Sequence, residues 1–542
     1  MPPGFCGKAP GVNGPGEGDA GTMTTAQSHS HTGRHLLDGT LWVILAEALF
    51  PVTGLVTAAF LTRSLGPDGY GLLTLPVTLV GLAEGCIISF FSRATIKHVG
   101  ESRDWRPLGT IAVQLQFRLG AWAMLAMWII ALPFAQLLNE PLLAVYLALI
   151  AVDIPLFALA QAHRYILAGM GAYQECAVAS AARWLARLVF VIILVAGGLS
   201  VFGVILAIIG STLLELRLYR RTLRPTLFSR TTLKSWSLWS YSWPSFLSAV
   251  SLAAIGRMDL FALKALGATV EEAGLYGAAQ NLSLFPALLS MPAAPLLLSS
   301  VSRALSTGNK GLAKMMTRQA MRGVLLLFPL AAIIAGSAGE IAVCLFGMSF
   351  EGTGRFLPAL IFGTAATLPL SVALTVLIAD GKPGMTFMLT APLVPLALLG
   401  CIVVVPRYGP FGASLVTASV EFIGMVIGLV AADQLWGVVP PLGTIVRTLF
   451  VSLLVLAAAL MWPTSGLLVF FKLFVLTGAV IACYWALQEF TRDEMTLVRS
   501  LVMDSGKTMP RINDLEGLSD TDPIMHENPR PEQTAQGKTI TP

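Results

Sequence analysis

Apolar residues run along this chain in blocks of about twenty, cut by glycine, proline and charge. Each block is long enough to cross a bilayer as a helix, which takes roughly 20 residues. Fourteen such blocks are legible. Six lie near 41–62, 70–91, 109–138, 142–163, 176–198 and 201–219, and six near 236–264, 274–300, 322–346, 356–379, 385–405 and 411–433. A last pair lies near 443–463 and 466–488. The pattern predicts an all-α integral membrane protein of about 14 transmembrane helices. Residues 1–40 and 489–542 lack any apolar core and are expected to be disordered tails, with Met23 as an alternative start.

The charges between the blocks alternate. If both termini are cytoplasmic, the inner loops hold Arg93, Lys97, Arg103 and Arg106, then Arg217, Arg220, Arg221, Arg224, Arg230 and Lys234, then Arg303, Lys310, Lys314, Arg318 and Arg322. The outer turns or helix ends hold Arg63, Lys264, Arg355 and Arg407. That asymmetry is what the positive-inside rule demands, and one miscounted helix would reverse every later loop.

The second half repeats the first at an offset of about 200 to 214 residues. Leu65-Gly66, Gly69, Tyr70 and Gly71 find counterparts in Leu266-Gly267, Gly274, Tyr276 and Gly277. Ser92-Arg93-Ala94 returns as Ser302-Arg303-Ala304, Pro155-Leu156 as Pro369-Leu370, and Phe202-Gly203 as Phe411-Gly412. An offset spanning an even number of helices keeps both copies in the same orientation, which makes a parallel repeat. The expected organisation is therefore a first six-helix lobe over 41–222, a basic cytoplasmic linker at 223–235, a second lobe over 236–433, and a helix pair at 443–488 outside the repeat.

Composition narrows the class. Of the 542 residues 55% are hydrophobic and 12% charged, half the charge a water-facing surface ordinarily carries. The mean hydropathy is +0.75. The six cysteines form no CxxC pair and read as structural thiols. Gly506-Lys507-Thr508 and Gly537-Lys538-Thr539 lack the upstream glycine of a phosphate-binding loop. No cofactor, metal or nucleic acid is expected.

Three segments carry a resemblance. Leu61-Thr62-Arg63-Ser64-Leu65-Gly66-Pro67-Asp68-Gly69-Tyr70-Gly71 resembles the first outer loop of bacterial polysaccharide-unit flippases, within the multidrug/oligosaccharidyl-lipid/polysaccharide exporter superfamily. Arg257 to Phe261 with Gly267 and Gly274 to Ala279 resembles that family's helix seven to eight passage, and Val405 to Ala413 its helix eleven to twelve turn. The likeness covers roughly residues 40–435. It implies a non-enzymatic, multi-pass protein of the bacterial inner membrane that moves a lipid-linked (polyprenyl-diphosphate) oligosaccharide outward by alternating access, with ion coupling as a further expectation. Glycosyltransferases and a glycan polymerase are the implied partners, beside membrane lipids. The alternatives are a cation-coupled multidrug antiporter of the same superfamily, against which the extra helix pair counts, and a membrane glycan polymerase or ligase, against which the short outer loops count.

Charges inside a bilayer cost at least ~2.5–3.5 kcal/mol and so face a cavity or a partner. Arg183 and Arg187 are four apart in the fifth span and share a face. A lipid diphosphate needs permanent cations able to fork two oxygens, so these two and Arg257 are candidate substrate contacts. The competing role for the Arg183–Arg187 pair is snorkelling to the headgroups. Glu47 precedes Pro51 by four residues, and Pro51 cannot donate to its carbonyl, which sets a titratable group beside a hinge. Glu47, Pro51, Asp153 and Asp259 are the candidate coupling or gating residues, with helix-to-helix pairing as the alternative. Glu84 and Glu421 are further intramembrane acids. Trp236, Trp239, Tyr241 and Trp243 read as an interfacial anchor.

Overall fold

The computed structural model describes residues 22–102, 104–223, 236–290 and 293–489; some side chains inside helices, those of Glu47 and residues 236–245 among them, are outside the description. The chain divides into two compact units, residues 1–483 and 484–542. The described part of the second is the end of the last helix and the turn after it. Among the described residues there is no strand.

The first half comprises α1 (Thr22–Glu101), α2 (Trp105–Leu137), α3 (Pro141–Ile150), α4 (Asp153–Gly169), α5 (Tyr173–Leu194) and α6 (Ser200–Thr222). The second comprises α7 (Trp236–Ile255), α8 (Met258–Ala265), α9 (Val270–Ser283), α10 (Phe285–Ser290), α11 (Ala293–Ser306), α12 (Lys310–Leu325), α13 (Phe328–Gly336), α14 (Ala338–Phe346), α15 (Leu357–Ala379), α16 (Pro383–Thr390) and α17 (Leu393–Trp436). α18 (Leu442–Met461) and α19 (Leu468–Ala486) close the chain. Prolines account for several divisions. Pro155, Pro286 and Pro329 each withhold a backbone donor just after a break, at 151–152, Leu284 and 326–327.

Length and hydropathy pick out ten helices able to cross a membrane, or eleven if the pair bent by 48° at Gly256–Arg257 is one span. That is fewer than the expected fourteen, and the difference lies in three long elements. Leu49–Ser89, Tyr173–Thr222 and Pro383–Trp436 have 41, 50 and 54 residues, about twice one crossing, and each contains non-helical backbone, at Gly66, at Gly198 and Ser200, and at Gly409. The seventh span, expected unbroken over 236–264, is the bent pair, with Arg257 in the bend.

Two further expectations are corrected. α1 starts at Thr22, so residues 22–40 continue the first helix where a tail was expected; no proline between Pro15 and Pro51 interrupts them. Arg217, Arg220 and Arg221 belong to the last turns of α6, where cations complement the helix dipole. Residues 224–235 of the linker, residues 1–21 and the tail from 490 lie outside the described residues.

The repeat is visible in the backbone itself. Gly66, Asn139, Gly171 and Ser200 have positive φ, and so do Gly267, Gly347, Gly381 and Gly409, at separations of 201, 208, 210 and 209 residues. The last pair agrees in both angles: Ser200 has φ 46° and ψ −133°, Gly409 φ 56° and ψ −140°. Positive φ disfavours side chains with a Cβ, so a serine held there in the same geometry as its glycine counterpart marks a shared turn.

Packing has a corresponding order. One large apolar core mixes both halves, including Leu61, Leu75, Ile154, Leu260, Tyr276 and Phe346. A second cluster takes only first-half residues, among them Val99, Val113, Ile166 and Tyr219. Two more take only second-half residues, around Val301, Ala313 and Trp436, and around Met321, Leu368 and Ala432. Among the described residues the halves thus share a core toward the end that holds the Gly66 and Gly267 turns, and keep separate clusters toward the other.

Candidate functional site

Between the halves lies a cavity of about 540 Å³. Phe50, Thr57 and Leu61 line it from the first part of α1, and Tyr70, Thr74, Thr78 and Gly85 from the second. A straight helix from Phe50 to Gly85 would extend for about 50 Å at ~1.5 Å per residue, far more than a cavity of this volume can accompany. The chain therefore folds back at Gly66, whose φ of 68° and ψ of 178° supply the turn. α5 adds Trp184 and Arg187, α6 adds Val204 and Ile208, and the second half adds Leu252, Gly256, Arg257 and Asn281.

Two guanidinium groups reach this space, one from each half. Arg187 is in α5, and Arg257 is in the bend between α7 and α8, its Nη1 donating to Gln280 Oε1 at 3.3 Å. Arg183, expected beside Arg187, does something else. Its Nη1 meets Glu215 Oε2 at 3.3 Å, and its guanidinium lies 4.6 Å from the Trp184 ring centroid and 4.8 Å from that of Phe157. Glu215 also accepts from Tyr219 at 3.3 Å, so both its oxygens are engaged. Trp184 in turn packs against Phe50, centroids 4.6 Å apart.

Asp153 opens α4 just after the break at 151–152 and is buried, accepting from Thr212 Oγ1 at 3.2 Å. Glu84, Asp153, Arg183 and Arg187 lie within electrostatic reach of one another, and Glu84 Oε1 and Asp153 Oδ1 have no hydrogen-bond partner among the described residues. The first half thus holds a mixed-charge cluster that touches the cavity through Arg187. Glu47 falls on α1, its side chain outside the description; Pro51 is carried within the continuous helix, half-buried.

In the second half Asp259 is a node. It accepts from Tyr276 at 2.6 Å, Thr417 at 2.8 Å, Gln280 at 2.8 Å and the Leu260 amide at 2.8 Å. One buried carboxylate joins α8, α9 and α17, and through Gln280 it fixes Arg257. Glu421, one turn beyond Thr417, is also buried. Gln280, Thr417, Glu215 and Trp184 did not stand out in the sequence, and Tyr276 did so only as a repeat position. Polar residues in an apolar run signal burial, but the partner across the bundle is invisible until helices are packed.

The halves are sealed at the end of the Gly66 turn. Arg63 Nη2 and Nε donate to the carbonyls of Cys344 and Leu345 at 2.6 and 3.1 Å, at the end of α14. Lys264 Nζ meets Glu140 Oε1 at 3.0 Å, and Asn281 Nδ2 donates to Tyr70 Oη at 2.7 Å. Gly71 and Gly274 lie so close that a Cβ on Gly71 would overlap the Val270 carbonyl and one on Gly274 the Pro67 carbonyl. All four contacts are between residues that the charge alternation puts on the same side.

Two duplicated helical halves around a shared cavity, closed at one end, define a multi-pass helical membrane protein. The model of the polysaccharide biosynthesis protein family matches residues 60–353, more than half the chain, and the chain belongs to that family. Its fold is that of solved transporters. A lipid II flippase MurJ structure in an inward closed conformation matches with TM-score 0.66 and 14% identity over 86% of this chain and all of that one. An outward-facing multidrug resistance MATE family transporter gives 0.58 and 14% over 74% and 95%, and a MOP superfamily transporter from Pyrococcus furiosus 0.57 and 15% over the same shares. At these identities the likeness is one of fold. No curated protein matches the sequence.

Proposed function

We propose that this protein carries a lipid-linked glycan, bound through a polyprenyl diphosphate, from the inner to the outer leaflet of the bacterial inner membrane. It crosses that membrane fourteen times with both termini cytoplasmic, each of the three long elements folding back at its break. The first and second lobes are residues 41–222 and 236–433, and they rock against each other, parting the outer turns when the cavity opens outward.

One observation carries this reading: a single cavity receives a guanidinium from each lobe, Arg187 and Arg257. Guanidinium forks match the paired oxygens of a diphosphate and stay charged in an apolar setting. A site whose permanent charges are positive favours an anionic cargo over the cationic drugs of an antiporter. Arg183, paired with Glu215, positions its neighbours, and the Glu84–Asp153 cluster beside Arg187 is the coupling candidate in the first lobe. Asp259 serves by holding Arg257 through Gln280.

The test is leaflet distribution of the lipid-linked unit in cells. Arg187→Ala, Arg257→Ala and Glu47→Gln are each expected to leave it on the inner leaflet, lowering outward delivery at least tenfold for the arginines. Normal delivery in both arginine variants overturns the site. Unaltered surface glycan with raised drug sensitivity on deletion would establish the antiporter instead.

A further inference from the structure

Trp184 is one residue from Arg183 and three from Arg187, and its surroundings are unusual for an aromatic ring in an apolar bundle. The Arg183 guanidinium stacks on it at 4.6 Å and is itself held by buried Glu215, while Phe50 packs on it from α1. Phe50 and Trp184 both line the cavity. Residues three apart on a helix share a face about 5–6 Å apart at Cβ. Trp184 and Arg187 therefore stand about one turn apart on one face of α5, and both line the cavity.

We propose that the Phe50–Trp184 wall is a saccharide subsite, stacking the first sugar of the glycan while Arg187 and Arg257 hold the diphosphate. The inference rests on the function proposed above and adds to it where the sugar lies. A pyranose presents an apolar C–H face and a hydroxyl rim, and an aromatic ring suits the first. The rim has partners too, since Thr57, Thr74, Thr78 and Asn281 line the same cavity. The Thr57 and Thr74 hydroxyls donate to the Thr53 and Tyr70 carbonyls and Asn281 donates to Tyr70, so these oxygens meet a sugar as acceptors for its hydroxyl protons. Arg183 and Glu215 act as positioning residues: they hold the ring in one orientation before the sugar arrives, so little ordering remains to be done on binding. With both termini cytoplasmic α5 runs from the inner side outward, so Trp184 lies inward of Arg187 and the glycan trails toward the inner side.

The experiment compares two probes on the full-length protein in lipid nanodiscs: polyprenyl diphosphate without sugar, and the same carrier bearing one N-acetylhexosamine. Wild-type protein binds the sugar-bearing carrier about fivefold more tightly, the size of an aromatic stacking contribution. Trp184→Leu removes that preference and leaves affinity for the bare carrier unchanged; Trp184→Phe keeps most of it. Glu215→Gln, which frees Arg183, reduces the preference. Size-exclusion profiles and melting curves verify that the variants fold. Equal loss of affinity for both probes in Trp184→Leu would mean that the wall serves the isoprenoid chain, and a preference surviving in that variant would place the sugar elsewhere; either overturns the subsite. Failure of wild-type protein to bind either carrier would overturn the function itself, and Arg187→Ala, expected to lose both probes alike, separates that failure from the loss of the sugar contact.

Discussion

At Gly363 the side chain is absent for a reason that can be tested. A Cβ there would overlap Glu421 Oε2 and come within 2.9 Å of the Ala418 Cα, so the glycine is what lets α15 and α17 close on a buried carboxylate. Gly323, also in a helix, has nothing within 4 Å of where its Cβ would be. The same substitution should therefore act in opposite directions. Gly363→Ala is expected to lower stability by about 1–3 kcal/mol through overpacking, and Gly323→Ala to raise it by about 0.5–1 kcal/mol through backbone entropy. Melting of the purified protein checks both. This scale is also where the sequence was most informative about chemistry. A permanent charge inside an apolar span needs a cavity or a partner, and that was enough to single out Arg183, Arg187 and Arg257. It could not divide Arg183 from Arg187: four residues apart they share a face, and only the packing of Glu215 from α6 against that face turns one inward. Partner choice is a property of neighbouring helices, and no spacing within one helix encodes it.

Among the elements, α18 and α19 fall outside the repeat yet are bound firmly to it. Lys472, wholly buried in α19, places Nζ 2.9 and 2.8 Å from the two carboxylate oxygens of Glu340 in the first turn of α14. Glu340 also accepts from the Thr464 amide and hydroxyl at 3.1 and 2.8 Å, which ties down the turn between α18 and α19. Gly336 of α13 sits against Ala459 and Leu456 of α18. The pair is thus anchored to the second lobe and should move with it. Removing one charge should not cost the same as removing the other. Glu340→Gln strands a buried ammonium, for which about 3–5 kcal/mol is typical. Lys472→Met leaves a carboxylate that is still partly exposed and still bonded to Thr464, and should cost less. The double variant is expected to recover part of the loss, and a cycle of four melting curves measures the coupling. The all-helical class and the order of the spans were legible from apolar blocks, as was the repeat, since its glycines recur at the turns; the expected count of fourteen stands against ten or eleven membrane-length helices. The breaks inside spans were not all legible: Gly256–Arg257 bends a run whose hydropathy is continuous, and hydropathy is blind to backbone angle.

For the molecule as a whole, the function proposed above makes the seal at the Gly66 turn the step that decides whether the cavity can change sides. Its parts come from both lobes: Arg63 on the carbonyls of Cys344 and Leu345, Tyr70 on Asn281, Gly71 on Gly274, and Glu140 on Lys264. The last of these offers a direct test, since a carboxylate and an amine 3.0 Å apart can be joined by a carbodiimide into an amide with no spacer. In the sealed state the amide should form in high yield and be found by mass spectrometry of the linked peptides, and Glu140→Gln should abolish it. A ligand or condition that favours the outward-open form should lower the yield, because the two groups must separate for the lobes to rock apart at that end. Once formed, the amide should stop delivery to the outer leaflet while leaving binding of the carrier from the inner side intact. Arg63→Ala, which frees the end of α14, should shift the balance the other way and reduce the amide yield without any crosslinked partner being removed. Transport that continues through the amide would mean that these turns never part, and that the cargo leaves by a route other than the outer end of the cavity.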